Sequence, residues 1–373
     1  MNEGMVTIPR PFDAHVHLRQ PDGLMPYVLP FTAKVCSRAV VMPNTTPPIL
    51  TGEDACRYSW PIERVAAENA HGQFEPLMAI YLTAATTPEM IVAARECGVV
   101  AAKWYPKGAT TNSAEGLGVH QLREALPTLR AMAACGMVLS VHAEDPSSHV
   151  FCLDRESGFI GFLRIILHEV PSLKVVVEHV TSAEMVRFVL EAPDTVAATV
   201  TVHHLLLTLD DVVGIPAPSE SDPAPKAALR PHNFCLPIAK RHKDISALRD
   251  VVGKGNSKFF LGSDSAPHLR SAKEGPQCAA GIFSAPVLLP LLAEIFLGNW
   301  WQPGSGAPGI EGFTSRFGEQ FYGLPPKSGT ITLIREPWVV PMAYPGGDDE
   351  LSPGSSIVPF WAGRTINWRV SEQ

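Results

Sequence analysis

Short apolar runs rich in β-branched residues punctuate the chain at 12–18, 39–43, 77–82, 99–105, 137–142, 174–179, 196–202 and 258–262. Most are continuously apolar rather than alternating, which is the pattern of parallel strands covered on their outer face. Between many of them, apolar positions recur at helical spacing, over 53–70, 88–97, 120–135, 157–169, 183–191 and 245–252. Gly98 and Gly136 follow two of these segments and suit helix C-caps. Eight strands alternating with helices predict an α/β fold, a (β/α)8 TIM barrel. An open doubly wound sheet is the alternative. The barrel is favoured because the eight runs fill the chain without leaving a second domain. The expected organisation is one domain over 1–373, with a barrel core over about 10–300 and a C-terminal extension over about 301–373.

Two regions break the rhythm. Residues 214–231 are rich in Pro, Ser and Ala and read as a long surface loop. Residues 302–373 carry many Pro and Gly and no clear βα unit, and are expected to pack on the barrel as the extension. The most membrane-like stretch, 279–301, contains Pro286, Pro290 and Glu294 and reads as a buried helix, so no membrane association is expected.

Composition narrows the function classes. A hydrophobic fraction of 46% against 18% charged residues excludes disorder and supports a large core. The net charge of −7, with no basic stripe to offset it, argues against nucleic acid. An anionic small substrate stays open, because it needs only a local cluster of cations. Seven cysteines, an odd number with no C-x-x-C pair, predict free thiols in a reducing cytoplasm rather than a disulfide framework.

In such a barrel, chemistry sits at the C-terminal ends of the strands. There the chain places His15, His17, Lys103, His142, His179 and Asp264. His15 and His17, two apart on a strand, share a face. Alone, H-x-H also describes a hydrogen-bonded pair of core histidines. Joined by His142 and His179 at equivalent strand ends, it suits a metal centre, and the absence of a thiolate set separates it from a structural zinc site. Lys103 lies in an otherwise apolar strand, where a lone ammonium is costly. It either reaches for the barrel mouth, binds substrate directly, or is carboxylated by CO2 to a bidentate anionic ligand. With two divalent metals, Asp264 and a hydroxide, the carbamate leaves only a small net positive charge. Asp264, entering from the last strand, can touch a metal and its water together and shuttle the proton.

These six residues resemble the ligand set of the amidohydrolase superfamily. Longer phrases narrow the resemblance: F-D-A-H-V-H-L-R, M-P-N-T-T-P-P, A-A-K-W-Y-P, A-T-T-N-S, V-V-V-E-H-V-T, C-L-P-I-A-K-R, L-G-S-D-S-A-P-H and Q-F-Y-G-L-P. They are similar to the dihydroorotases, in particular the compact single-function bacterial class also found in fungi, over nearly the whole chain. The resemblance implies two zinc ions bridged by a carboxylated Lys103 and a hydroxide, with His15 and His17 on one metal and His142 and His179 on the other. The implied reaction is the reversible closure of N-carbamoyl-L-aspartate to L-dihydroorotate, the third step of pyrimidine synthesis. The expected partners are that small-molecule substrate and a second copy of the chain in a homodimer. One departure is Ala143, where the family commonly has Gly after the histidine, and another is the long Pro-rich stretch 214–228.

A substrate carboxylate must be held away from the metals. Arg19, two past His17, shares its face and can fork onto a carboxylate. Asn44 and His268 join it through the resemblance, which also implies backbone contacts to the ring amides at Leu236 and Ala280. Thr110 and Thr111, on the small polar loop 107–113 after the fourth run, are expected to close over substrate as a lid. Glu144 reads as an orienter of His142. His203 and His204, as adjacent residues on a strand, face opposite ways and are set aside. A hydantoinase or allantoinase would share the metals but differ in the anion-holding residues. A non-enzymatic scaffold would have lost ligands, and all six positions are filled.

Overall fold

The eight apolar runs form eight parallel strands in a computed structural model that describes residues 4–69, 71–215, 228–298, 309–347 and 353–371. After an N-terminal strand β1 (Met5–Pro9) come β2 (Phe12–Val16), β3 (Arg38–Val41), β4 (Glu75–Tyr81) and β5 (Ala101–Trp104). They continue as β6 (Val138–Val141), β7 (Val175–Val177), β8 (Val196–Val200) and β9 (Phe259–Leu261). From β2 to β9 each strand pairs with the next in chain order. The last is joined to the first through Asp264 N–H to the His15 carbonyl at 2.9 Å and His17 N–H to the Ser265 carbonyl at 3.1 Å. With helices between the strands, this is the expected (β/α)8 barrel.

The barrel is filled in layers. Phe12, Ala14, Val40, Leu77, Val138 and Phe260 fill its N-terminal end. Phe317 and Tyr322, from a helical segment spanning Gly312–Arg316 and Phe317–Tyr322, cap that end, with Tyr322 edge-on to Phe12 at 5.5 Å. Above lies a buried polar layer of Ser140, Glu178 and Thr199. Gly262 is needed here, because a Cβ would come within 2.7 Å of Thr199 and 3.0 Å of the His15 Cβ. On β2 the pairing register with β3 shifts between Asp13 and Val16. That irregularity changes the parity of the strand, so Phe12 and Ala14 face the lower core while His15 and His17 both face the upper end.

Several elements differ from expectation. The helix Met25–Val35 was not anticipated, because Pro26 and Pro30 mask its pattern; Pro26 lies in the first turn, where no N–H is needed. Over 120–135 the helix covers only Leu126–Cys135, with a separate 3₁₀ turn at Val119–Gln121, since Pro127 restarts the chain at a new N-terminus. The stretch 279–301 yields the buried helix Leu288–Leu297, and 299–301 lie outside the described residues. No described helix is long and apolar enough to cross a membrane. Within 214–231, residues 216–227 lie outside the described residues, and Ala228 N–H bonds the Gly214 carbonyl at 3.0 Å where the two flanks meet.

The C-terminal region has more regular structure than its composition suggests. β10 (Thr330–Val339) pairs antiparallel with both β1 and β13 (Thr365–Val370), and a short pair, β11 (Tyr344–Pro345) and β12 (Ser356–Ile357), lies between. Residues 301–308 and 348–352 lie outside the described residues.

Candidate active site

All six predicted ligands are buried at the C-terminal end of the barrel. His15 and His17 come from the end of β2, Lys103 from β5, and His142, His179 and Asp264 from just beyond β6, β7 and β9. The backbone is forced at two of them: His179 and Asp264 have φ of 40° and 41°, and Arg19 beside them has 66°. A left-handed conformation costs a non-glycine residue about 1–2 kcal/mol, and such strain concentrates where side chains must be aimed.

The imidazoles are fixed from behind. Glu178 holds His15 Nδ1 at 2.9 Å, which turns Nε2 toward His17 Nε2 at 3.3 Å. Glu144 holds His142 Nε2 at 2.8 Å, which turns Nδ1 toward His179 Nε2 at 3.2 Å. Asp264 Oδ1 lies 3.4 Å from His15 Nε2 and 3.2 Å from His17 Nε2. Burial pushes His15, His17 and His179 below the ordinary imidazole range, and the Lys103 cation adds to this, which favours neutral rings at neutral pH. Ring nitrogens aimed at one another make two donor sets suited to cations. Burial lowers Lys103 to about 8, and its Nζ, fully buried, has no hydrogen-bond partner. Burial raises the Asp264 carboxyl.

An inner chamber of about 30 Å³ is lined by four of these histidines and Asp264, together with Arg19, Asn44, Thr110, Thr111, Leu236 and Ala280. It opens into a cleft of about 410 Å³ that His17, Arg19, Asn44 and Thr111 also border, and that reaches His268. Lys103 lies beside the chamber, Nζ 5.1 Å from the centre of the Tyr105 ring. Every predicted site residue is therefore at this end of the barrel. Arg19 Nε donates to the Pro267 carbonyl at 2.8 Å and Nη2 approaches His268 Nε2 at 3.0 Å. Asn44 Nδ2 is turned to the Thr111 carbonyl at 3.4 Å, and Asn112 Nδ2 returns a bond to the Asn44 carbonyl at 3.1 Å, so loop 107–113 is docked over the chamber.

Sequence reasoning passed over two residues. Glu178 accepts from His15, Ser140 and Thr199; its signal was a charge two past Val176 on an inward-facing strand. Tyr105, two past Lys103, lines the chamber with a buried, unpartnered hydroxyl. The reading of His203 and His204 is corrected. They lie beyond the end of β8 in a turn, where adjacent residues need not oppose, and with Cys235 form a buried group whose ligand atoms lie within 4.8 Å of one another. His204 is already satisfied by Thr201 Oγ1 at 2.9 Å and the Pro237 carbonyl at 3.0 Å.

No family model matches the chain. The dihydroorotase of Teredinibacter turnerae is 43% identical to it over 368 residues, 98% of this chain and 99% of that protein. The crystal structure of dihydroorotase from Campylobacter jejuni is 32% identical with a TM-score of 0.84, covering 99% of this chain and 98% of that one. The Saccharomyces cerevisiae dihydroorotase in complex with 5-fluoroorotic acid is 30% identical with a TM-score of 0.85, at the same coverage. End-to-end similarity to dihydroorotases, on a chain whose barrel mouth gathers these candidate ligands, decides against the hydantoinase and scaffold alternatives: the chain belongs to the dihydroorotase family of the amidohydrolase superfamily, a family of cyclic-amide hydrolases.

Proposed function

We propose that the chain interconverts N-carbamoyl-L-aspartate and L-dihydroorotate using two zinc ions, one held by His15 and His17 and the other by His142 and His179. A carboxylated Lys103 would supply a further anionic ligand there, and Asp264 is the acid–base group. The observation that carries this reading is the two pairs of facing imidazole nitrogens, at 3.3 and 3.2 Å, beside an unpartnered Lys103 Nζ. Two ligand nitrogens at about 2.05 Å from one tetrahedral ion are about 3.3 Å apart. Lys103 at about 8 readily offers a neutral amine; its nitrogen adds to the carbon of CO2 and loses a proton, leaving a carbamate with two oxygen donors.

Bound metals supply an activated water and polarise the ring carbonyl. The chain's own residues do the rest. In hydrolysis Asp264 accepts the proton of the attacking water and passes it to the departing ring nitrogen; in cyclisation the same carboxyl runs the transfer in reverse. Arg19, Asn44 and His268 hold the substrate carboxylate away from the metals. Backbone groups of Leu236 and Ala280 receive the ring amides, and Thr110 and Thr111 bond the substrate while the docked loop excludes water. Residues 1–373 are read as one catalytic domain, acting as a homodimer in the cytoplasm; free cysteines support the reducing compartment.

Zinc analysis joined to assays with dihydroorotate, hydantoin and allantoin tests the proposal. The expected result is about two zinc ions per chain and turnover of dihydroorotate alone. A stoichiometry that never exceeds one after added zinc, or an unmodified Lys103 in fully metallated protein, overturns the binuclear centre. Lys103→Ala should lose both metal and activity, with partial recovery when short carboxylic acids fill the gap.

A further inference from the structure

Lys273 ends a four-residue helix, Arg270–Lys273, outside the ring of proposed ligands. It is only 3% exposed. Its ammonium donates to three backbone carbonyls, Phe234 at 2.8 Å, Ala279 at 2.7 Å and Gly281 at 2.8 Å. Among the described residues no carboxylate pairs with it. A buried cation without a counter-ion costs several kcal/mol unless its donors are all used. Here the three N–H groups are matched by three carbonyls, which is the full capacity of an ammonium. An apolar side chain would fill the same volume without that desolvation cost. The charge therefore calls for an explanation in what it organises.

The three carbonyls belong to two segments far apart in the chain, and both segments border the inner chamber through Leu236, Ala280 and Gly281. The Phe234 carbonyl accepts from Gly281 N–H at 3.0 Å as well as from Lys273, so the two segments meet at the ammonium. The flanking carbonyls of Ala279 and Gly281 turn toward Lys273. The carbonyl between them, Ala280, turns to His268 Nε2 at 3.0 Å, and the same nitrogen lies 3.0 Å from Arg19 Nη2. Gly281 allows this path at φ 148°, where a Cβ would lie 2.4 Å from the Ala266 carbonyl oxygen. The direction in which the Ala280 peptide faces thus follows from where its neighbours' carbonyls are held.

We propose that Lys273 is a positioning residue: its buried ammonium locks the 234–236 and 279–281 segments together and so orients the Ala280–His268–Arg19 face toward the substrate's ring amides and carboxylate. The inference rests on the assignment of that face to substrate binding. It adds a residue that touches neither metal nor substrate but sets ground-state affinity.

The test compares Lys273→Met, similar in length and without donors, with Lys273→Arg, which keeps them, in zinc-loaded protein. Zinc content, KM and kcat are measured in both directions, with Arg19→Met as reference. Lys273→Met should raise KM roughly ten- to hundred-fold while kcat changes by less than about threefold. Zinc content should be unchanged, and Lys273→Arg should restore most of the affinity. An unaltered KM in folded, zinc-loaded Lys273→Met overturns the inference, as does a fall in kcat together with zinc loss. If Lys273→Met does not fold, Lys273→Gln takes its place, and equal KM values for the Arg and Gln variants overturn it. Should Arg19→Met leave KM unchanged, the carboxylate assignment itself fails. If Arg19→Met raises KM and Lys273→Met does not, only the role of Lys273 fails.

Discussion

Glu178 shows how much of this site depends on a residue that touches no reacting atom. It lies beneath the histidines and accepts from His15 at 2.9 Å and from Thr199 at 2.6 Å, with Ser140 on its other oxygen. Burial alone would raise its carboxyl. The neighbouring His15 and Lys103, with the hydrogen bonds from His15 and Ser140, outweigh burial and hold it down at about 2, below its ordinary 4.5. Above pH about 4.5 it is therefore a carboxylate in folded and unfolded chains alike, and its contribution to stability is complete. Between about 4.5 and 2 the unfolded chain takes up a proton that the folded chain refuses, and that stability is lost. Urea denaturation of metal-free protein across this window should show the loss, and Glu178→Gln should reduce the pH slope by up to about one proton. An identical slope in the two proteins would remove Glu178 from the account. At Asp264 the expectation concerns rate. Asp264→Asn keeps the shape and removes the base, so both reaction directions should slow by at least ~10²–10⁴-fold; near-normal turnover would exclude the shuttle.

Loop 107–113 is held down almost wholly by polar contacts. Gly108 turns at φ 83°, Ser113 Oγ bonds the Thr110 backbone, and Tyr81 Oη donates to the Asn112 carbonyl at 3.0 Å. A segment docked by a few hydrogen bonds, with Ala109 as its buried apolar residue, has the low local stability that a lid needs. Its two threonines line the chamber. Thr110→Ala/Thr111→Val should leave zinc bound and reduce kcat/KM by roughly five- to hundred-fold, the worth of two neutral hydrogen bonds at ~0.5–1.5 kcal/mol each. Full activity would reject the lid, and loss of zinc would make the loop a support of the metal centre. The other elements vary in how visible they are along the chain. The barrel strands are legible because both of their faces are buried and their runs are apolar throughout. The helix Met25–Val35 is not, since its two prolines imitate a loop until the first-turn position of one of them is seen.

At the scale of the molecule, the two termini are joined in one sheet. β10 lies between β1 and β13, and Leu333 at its centre is fully buried. Leu333→Ala should cost about 2–5 kcal/mol of stability, read from denaturant midpoints. The site lies at the barrel mouth, apart from this sheet, so zinc content and kcat at low temperature should stay as they are. Unchanged stability would mean that the sheet is dispensable to the fold.

What the chain determined locally was the repeating βα order, the placing of the six proposed ligands at strand ends and the arginine that shares their face. These follow from patterns spanning a few residues: continuous apolar runs, parity along a strand, and costly polar groups in apolar segments. The tertiary structure decided the rest. The pairing of β1 with β10 joins residues more than 300 positions apart, and no local periodicity specifies a partner. The shift within β2 that turns both His15 and His17 upward depends on register with β3. His203 and His204 lie side by side because the strand ends before them. Nothing in the local sequence marks Lys273, which only the fold surrounds with three carbonyls. In each case the deciding quantity is what surrounds a group once distant segments meet, because desolvation and hydrogen-bond satisfaction are set by packing rather than by neighbours in sequence.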